Sequence, residues 1–545
     1  MRPKACIKCR QWKARCEYDD IAGGCTRCRA YNQPCVFDAS FKRTPKALSV
    51  QRMSAEIERL RKELEEAQST AAIPAITPAE SRNGALVSLD WTSLFPGAQD
   101  ESAESAPAVQ PSQPIYLHTA ESPSTEYRSV GNVSLTRAQV NEHFKIYFAR
   151  CHPYLPFKMT VRTPEAVWQK SPLLFWVICS AAARWKVRLE LMAPVRSMLA
   201  DTIHSSPRSI EKVQALLIMA MWPFSIKAIM EDPTDYYCSL ATQMALQLGL
   251  HRPNQTHLHD HGSDERANAR MVDEEVKTTT WLACFIMNHR QSLCRGVPQS
   301  IRVDFHLLKA FENKAIEPRL SGLCRVYNLA MQANLAIGAD APTTSGMLEP
   351  EKRLEAVNLW TERFASLQTE LFRDRIDDVV RTSFLYLKLQ VLSFALLDDM
   401  PVSPGILDCV EVAKQDAYEL VDLCGSQNLS LTPASVRYAI CFAGFVFVKI
   451  LRSSYNSAVE VLQDNIERVL EALTTTTSSA EDTFRKACIT IQSLMSIEDR
   501  KLSSPICTRL GASMVYDLLR ICAEHKYGPI IDEQRLDLDF FEWNL

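Results

Sequence analysis

Six cysteines near the start of the chain constrain its folding more than any other feature. The spacing Cys-x2-Cys-x6-Cys occurs twice, with eight residues between the copies, at Cys6, Cys9, Cys16, Cys25, Cys28 and Cys35. Thiolates at these intervals suit tetrahedral zinc, because a Cys-x2-Cys pair holds one edge of the metal and a following turn returns the third sulfur. Disulfides are the alternative, and the spacing favours zinc.

The number of sulfurs predicts how the metals are shared. Two four-coordinate zinc ions need eight ligand positions, and six sulfurs fill them only if two sulfurs bridge. The repeat makes Cys6 and Cys25 equivalent, so we predict that they bridge, with Cys9 and Cys16 on one ion and Cys28 and Cys35 on the other. We therefore expect two Zn²⁺ per chain. Sulfur fills every position, which predicts a structural and not a catalytic site.

Positive charge is concentrated around these cysteines. Residues 1–46 contain five Lys and six Arg against one Glu and three Asp, a net charge of +7, whereas the whole chain carries −3. This asymmetry is typical of a small nucleic-acid-binding module on an otherwise acidic protein. Most of the cations near the metal ligands lie in the first half of the repeat, which we expect to face DNA.

The cysteine pattern over residues 5–38 resembles the fungal Zn2Cys6 binuclear cluster family of transcription factors. That resemblance implies that the first helix enters the major groove and reads a CGG triplet through Lys13. Trp12 stands where the family usually has a second basic residue, and a glycine-containing loop replaces the usual proline between the halves. We expect DNA contacts from Lys8, Arg10, Trp12, Lys13 and Arg15, and from Lys42 and Arg43 in the basic segment that follows.

A short amphipathic segment follows the basic segment. Apolar residues recur at alternating spacings of three and four, the pattern of a coiled coil, at Val50, Met53, Ile57, Leu60 and Leu64. A lone surface helix has a similar pattern. Directly after a DNA-binding module we predict dimerisation by residues 47–70, with residues 39–49 setting the distance between two DNA half-sites.

Composition divides the rest of the chain. Residues 71–135 are rich in Ser, Ala, Pro, Thr and Glu and are predicted to be a disordered linker. Residues 136–526 show helical periodicity, and the chain has only 16 glycines in 545 residues, which favours a large all-helical regulatory domain. One predicted buried stripe runs through Leu354, Val357, Trp360, Phe364 and Leu367. No apolar run reaches the length of a membrane span, and we expect no membrane association.

Several segments between about 140 and 300 resemble the fungal-specific middle homology region that accompanies these clusters. The details look most like the branch of leucine-biosynthesis, weak-acid-response and secreted-protease regulators. The resemblance implies a domain that restrains activation and, in some members, responds to a small metabolite. Candidate cationic ligands for such an effector, or else structural ion-pair residues, are Arg184, Arg188, His289, Arg290 and Arg295.

The last residues, 527–545, alternate acidic and large apolar side chains. This pattern indicates an activation motif that binds coactivators, or a tail that packs on the helical domain. The chain lacks the phosphate-binding, dinucleotide-binding, serine-hydrolase and metalloprotease motifs, so an enzyme is not expected.

The sequence as a whole predicts a mainly α protein in the nucleus that binds double-stranded DNA as a dimer. We expect it to regulate genes transcribed by RNA polymerase II, as an activator or a repressor. Its targets would be a secondary-metabolite gene cluster, or else genes of primary metabolism such as those for amino acids, weak acids or proteases.

Overall fold

The computed structural model describes the chain in two units, Met1–Tyr116 and Leu117–Leu545. The residues that it describes are 5–7, 9, 15–19, 24–30, 35–37, 127–202, 208–224, 232–252, 264–425, 427, 429–476, 483–497 and 507–527. The predicted coiled coil, most of the predicted linker and residues 528–545 of the predicted tail lie outside the described residues.

The first unit is built on the cysteines. Strand β1 (Tyr18–Asp19) pairs antiparallel with β2 (Gly24–Cys25), and helix α1 (Thr26–Ala30) follows directly. The core of this unit consists of Cys6, Cys9, Cys25 and Cys28, all nearly inaccessible to solvent, with Phe37 and other partly buried residues around them. So few apolar side chains cannot stabilise a fold of this size alone, and small domains of this kind usually depend on a metal.

The second unit begins with a short hairpin and continues as helices. Strand β3 (Arg128–Val130) pairs with β4 (Val133–Leu135) through a turn at Gly131, whose φ of +54° favours glycine. Leu135 is buried in the helical core. The predicted linker ended at residue 135, and this boundary was wrong by at least the nine residues from Tyr127. Three apolar positions alternating with polar ones were too few for the sequence to distinguish a strand from a linker.

Most of the described residues after the hairpin are helical. The helix Arg137–Ile146 passes into a π-helical turn (Tyr147–Cys151) and a 3₁₀ turn (His152–Tyr154), and the helix Asp378–Leu392 ends in a 3₁₀ turn (Ser393–Leu396). The helices are α2 (Arg137–Ile146), α3 (Pro164–Lys170), α4 (Pro172–Ala182), α5 (Trp185–Asp201), α6 (Ile210–Met221), α7 (Thr234–Gln247), α8 (Asp264–Arg295), α9 (Phe305–Phe311), α10 (Pro318–Gly338), α11 (Pro350–Leu371), α12 (Asp378–Leu392), α13 (Pro404–Gly425), α14 (Ala434–Leu451), α15 (Val459–Thr476), α16 (Thr483–Ser496) and α17 (Ser513–Tyr527).

Local sequence signals explain where several helices begin. Thr136 caps α2, because its hydroxyl accepts from the N–H of Gln139 while the Gln139 side chain accepts from the Thr136 N–H. Ser171 caps α4 and is followed by Pro172, a residue suited to the first helical position. The start of each of these helices is therefore determined by residues close to it in sequence, whereas the packing of the helices depends on their apolar faces.

The helices pack around one continuous apolar core. Helix α8 packs against α6, α7 and α10, α10 packs on α12, and α14 lies among α13, α15 and α16. In α11 the residues Val357, Trp360, Phe364 and Leu367 are buried and Leu354 is partly buried, which confirms the predicted stripe. The mainly α fold class is also confirmed.

Among the residues that the structure describes, two stretches are long and apolar enough to span a membrane by length and composition alone. They are Asp378–Leu396, which is α12 with its 3₁₀ turn, and helix α14. Most of each stretch, 83% and 78% respectively, is buried inside the helical unit. Burial among other helices explains their hydropathy, as it does for the core helices of large folds.

Candidate metal centre

The six predicted cysteines come together in the first unit. Cys25 ends β2 and Cys28 lies in α1, while Cys16 and Cys35 lie outside helices and strands. All six are free thiols. Their sulfurs form two groups of four, and within each group all sulfurs lie within 4.8 Å of one another.

The two groups overlap in the way the ligand count predicted. One contains Cys6, Cys9, Cys16 and Cys25, and the other contains Cys6, Cys25, Cys28 and Cys35. Cys6 and Cys25 are thus the members common to both. A sulfur that belongs to two tetrads is placed to bridge two metals.

Distances between sulfurs test whether zinc would fit. A Zn–S bond of about 2.3 Å in a tetrahedron places neighbouring sulfurs about 3.8 Å apart. The Sγ atoms of Cys6 and Cys28 are 3.7 Å apart, and those of Cys9 and Cys25 are also 3.7 Å apart. Disulfide sulfurs would be about 2.0 Å apart. The cysteines therefore fit a binuclear zinc site, and bound zinc would cross-link the two halves of the unit.

Backbone N–H groups point at the sulfurs. Cys9 N–H donates to Sγ of Cys6 (3.5 Å) and Cys28 N–H donates to Sγ of Cys25 (3.3 Å). Cys6 N–H donates to Sγ of Cys16 (3.4 Å) and Cys25 N–H donates to Sγ of Cys35 (3.3 Å). Such bonds stabilise thiolates, which zinc requires.

The contacts repeat with an offset of 19 residues. Ile7 N–H donates to the carbonyl of Val36 (2.9 Å), and Thr26 N–H donates to the carbonyl of Glu17 (3.1 Å). Adding 19 to Ile7 gives Thr26, and subtracting 19 from Val36 gives Glu17. The halves are therefore related by an approximate two-fold relation that exchanges Cys6 with Cys25. The same 19-residue offset relates the cysteines of the two halves, and it is the one signal in the sequence that indicates these backbone pairs.

The shared sulfurs differ electrostatically from the others. Burial raises the pKa of Cys25, but hydrogen bonds from Cys28 and other neighbours outweigh it and lower the pKa to about 6. Burial also raises the pKa of Cys6, and hydrogen bonds from Cys9 and other neighbours outweigh it and lower that pKa. Burial instead raises the pKa of Cys28 to about 12, and it also raises the pKa of Cys9. The two sulfurs with the most favoured thiolates are those common to both tetrads.

The predicted DNA contacts are only partly described. Arg15 is exposed and its Nε lies 3.0 Å from a Glu17 carboxylate oxygen, a surface pair that solvent screens. Arg27 and Arg29 are exposed on α1. Lys8, Arg10, Trp12, Lys13, Lys42 and Arg43 lie outside the described residues, as do the dimerisation candidates Val50, Met53, Ile57, Leu60 and Leu64.

The five effector candidates of the helical unit are not one cluster. Arg184 is exposed before α5, and Arg188 donates to the carbonyls of Ser180 (2.6 Å), Trp222 (2.5 Å) and Pro223 (2.9 Å), which is a structural role. Arg295 pairs with Asp232 at 2.8 Å.

His289 and Arg290 are both buried in α8. The His289 ring contacts the Phe285 carbonyl, and burial lowers its pKa to about 4, so it is neutral. Arg290 makes no ion pair with any residue that the structure describes.

Each of the two units contains a segment that matches a known protein family. Residues 4–44 match the fungal Zn(2)-Cys(6) binuclear cluster domain, and residues 144–315 match the fungal specific transcription factor domain. The first of these domains binds two zinc ions, which confirms the predicted cofactor.

Curated relatives are similar over much of the chain. The transcriptional regulatory protein SEF1 of Candida albicans is 23% identical, over 97% of this chain and 65% of the relative. A putative transcription factor SEF1 of Saccharomyces cerevisiae is 24% identical, over 72% of this chain and 38% of the relative. The regulatory protein LEU3 of Saccharomyces cerevisiae is 22% identical, over 74% of this chain and 52% of the relative.

The chain thus spans between 38% and 65% of the length of these three relatives. Both matched domains are described as parts of fungal transcription regulators, and the names of the relatives are those of regulators of transcription.

Proposed function

We propose that this chain, a fungal Zn2Cys6 transcription factor related to the LEU3 branch, binds CGG-type half-sites in double-stranded DNA and regulates genes transcribed by RNA polymerase II. One observation carries the proposal. Two cysteine tetrads share Cys6 and Cys25 inside a segment of net charge +7. A closed zinc site with no open position has no catalytic role, and the surrounding charge suits phosphate.

Base reading is proposed for Lys13. It lies four residues after Cys9, between the second and third ligands of the first half. Lys is a frequent partner of guanine O6 and N7 in the major groove. Lys8, Arg10 and Arg15 would contact the backbone nearby, Trp12 would pack against sugar or a thymine methyl, and Lys42 with Arg43 would follow the phosphates.

Dimerisation is proposed for residues 47–70. The heptad positions Val50, Met53, Ile57, Leu60 and Leu64 would form the seam, and Glu56 of one chain would face Arg61 of the other. A dimer would read two half-sites whose separation depends on residues 39–49. This doubles the contact area and restricts the sequences that are bound.

The helical unit is proposed to regulate activity. Asp532, Glu533 and the neighbouring acidic and aromatic residues of the tail would bind coactivators, which favours an activator over a repressor. We place the protein in the nucleus. A secondary-metabolite gene cluster is the first proposed target, and genes of primary metabolism are the second.

Binding of the zinc-loaded full chain to duplexes tests the proposal. We expect it to prefer a duplex with two CGG triplets over a scrambled duplex, and Lys13→Ala to remove this preference, at a cost of about 1–3 kcal/mol in discrimination. Arg27→Ala is the matched control, because a backbone contact would weaken both duplexes alike. Equal binding of both duplexes by the unaltered chain would refute the proposal. Unchanged selectivity in Lys13→Ala would remove Lys13 from the reading role.

A further inference from the structure

Positive charge is concentrated in the first part of the helical unit. Residues 127–202, which comprise the hairpin and helices α2 to α5, contain four Lys and seven Arg against three Glu and one Asp, a net charge of +7. Residues 203–545 contain 34 Lys and Arg against 44 Asp and Glu, a net charge of −10. The unit therefore has a basic beginning and an acidic remainder, a distribution typical of a surface that attracts a polyanion.

Ion pairs with the acidic remainder neutralise some of these cations. The Nζ of Lys158 lies 3.0 Å from a carboxylate oxygen of Glu275, and the Nζ of Lys170 lies 3.5 Å from one of Glu211. Both lysines are thus used within the helical unit. The cations that are left with their charge lie along helix α2 and the turn that follows it.

Three exposed cations surround one aromatic ring at the end of α2. Lys145, Arg150 and Arg162 make no ion pair with any residue that the structure describes. The guanidinium of Arg162 lies over the ring of Phe148, 5.4 Å from its centre. Lys145 lies one turn before Phe148 on the same side of the helix, and Arg150 follows Phe148 by two residues.

Two more arginines are held on aromatic rings at the start of α2. The guanidinium of Arg128 lies 4.2 Å from the ring centre of Tyr127 and 5.0 Å from that of Trp168, and the guanidinium of Arg137 lies 4.8 Å from Tyr127. Stacking on a ring holds a guanidinium in place without cancelling its charge. Glu165 lies 3.6 Å from Arg137 and accepts from the Tyr127 hydroxyl at 2.9 Å, so it offsets part of this charge.

These cations form an extended basic surface, which we call the basic face. Its members are Arg128, Arg137, Lys145, Arg150 and Arg162. Thirteen residues separate Arg137 from Arg150, which is about 20 Å along a helix and the length of about six base pairs of DNA. Glu142 and Glu165 are the acidic residues of the stretch 127–170. Cations of the basic face therefore outnumber the carboxylates of this stretch by five to two.

We propose that the basic face binds the phosphate backbone of double-stranded DNA, as a sequence-independent contact additional to that of the cysteine unit. Phosphate contacts add affinity for any duplex and make binding dependent on salt, but they do not select bases. The inference rests on the DNA binding proposed for the cysteine unit, because a duplex bound there is at a high local concentration for the rest of the same chain.

The salt dependence of DNA binding by the zinc-loaded full chain tests the basic face. The variant combines Lys145→Gln, Arg150→Gln and Arg162→Gln. A plot of log affinity against log salt concentration should become less steep by about 0.9 for each phosphate contact removed, or by about two to three in all. At about 0.1 M salt we expect affinity to fall about tenfold or more, for CGG-bearing and scrambled duplexes alike.

A second triple variant provides the matched control. Lys352→Gln, Arg373→Gln and Arg375→Gln remove three exposed cations from α11 and the loop after it, so the net charge changes by the same amount. This control should keep the salt dependence of the unaltered chain. Circular dichroism and the melting temperature establish that both variants are folded.

Three results would overturn the proposal. They are an unchanged salt dependence in the basic-face variant, an equal change in the control, and a loss of affinity for double-stranded RNA without a loss for DNA. Should the triple variant fail to fold, Lys145→Gln with Arg150→Gln leaves Arg162 on Phe148 and should reduce the slope by about one to two.

The ratio of the affinities for CGG-bearing and scrambled duplexes keeps the two proposals separate. The basic-face variant should retain the ratio of the unaltered chain, because phosphate contacts carry no base preference. A ratio of one in the unaltered chain would refute base reading by the cysteine unit. The difference in salt dependence between the basic-face variant and its control would still decide whether the basic face contacts DNA.

Discussion

Cys6 and Cys25 are equivalent in the two halves of the cysteine unit, and each sulfur belongs to both tetrads. Each accepts a hydrogen bond from the N–H three residues later, Cys9 for the first and Cys28 for the second. Each also lies 3.7 Å from a sulfur of the other half. The two shared sulfurs therefore join the halves together with the β1–β2 pairing and the backbone hydrogen bonds from Ile7 to Val36 and from Thr26 to Glu17.

Loss of a shared sulfur should cost more zinc than loss of an unshared one. We expect Cys25→Ser to reduce the zinc content from about two ions per chain to below one, because both tetrads lose a ligand. Cys35→Ser should retain about one ion. Elemental analysis of the purified chain measures this, with the exposed Cys507→Ser as the control. Equal zinc content in Cys25→Ser and Cys35→Ser would contradict the prediction that Cys25 is a ligand of both zinc ions.

Zinc affinity should rise with pH. Burial raises the pKa of Cys28 to about 12 and that of Cys9 as well, so without metal these thiols are protonated at neutral pH. Zinc must displace those protons, and lowering the pH favours the competing protonated form. Competition with a coloured chelator between about pH 6 and pH 8 should show weaker binding at the acidic end. A pH-independent affinity would mean that no thiol proton leaves on binding.

Gly296 should tolerate no side chain. It follows α8 with a φ of +65°, and a Cβ placed there would lie 2.2 Å from the carbonyl oxygen of Arg509. We expect Gly296→Ala to lower the free energy of unfolding by about 2–4 kcal/mol, through backbone strain and this clash. Urea denaturation measures the change.

Gly425 provides the control for Gly296→Ala. It ends α13, and a Cβ there would meet nothing within 4 Å. Gly425→Ala should therefore change stability by less than about 1 kcal/mol. Equal losses of stability at the two positions would show that the close Arg509 carbonyl is not what excludes a side chain at position 296.

Lys449 neutralises a buried carboxylate. Its ammonium pairs with Asp517, which is 2% exposed, and with Asp398 at 2.9 Å. Lys449→Met should destabilise the helical unit by about 3–5 kcal/mol at neutral pH, because Asp517 is left charged and without its cation. Urea denaturation again measures the loss, and replacing Asp517 by Leu in the same chain should recover part of it.

The loss of stability caused by Lys449→Met should be smaller at acidic pH. Burial raises the pKa of Asp517 and Lys449 opposes this, so removing Lys449 raises that pKa further. A folded-state pKa above the unfolded value means that stability is gained as pH falls and Asp517 takes up a proton. The difference from the unaltered chain should be smaller at about pH 5 than at pH 7. A difference that grows in acid would contradict this role.

Local patterns in the sequence were sufficient for the metal unit and the fold class. Two copies of Cys-x2-Cys-x6-Cys predict the number of ligands, and the shortage of sulfurs predicts that two of them are shared. Helical periodicity likewise predicted the buried face of α11. Both patterns involve residues close together in sequence, and local backbone geometry determines how such residues are arranged in space.

The tertiary structure alone decided what each buried cation of the helical unit contacts. Arg188, Arg290 and Arg295 are alike in the sequence, yet one binds carbonyls, one faces a pocket and one pairs with Asp232. Most of their partners lie between 34 and 69 residues away in the chain, and only packing brings those segments together. The hairpin at 127–135 was missed for the same reason, because Leu135 is buried by helices and not by its own short strand. The sequence by itself predicted the cysteine cluster and the helices, because both patterns are local, and tertiary packing determined which charges are neutralised.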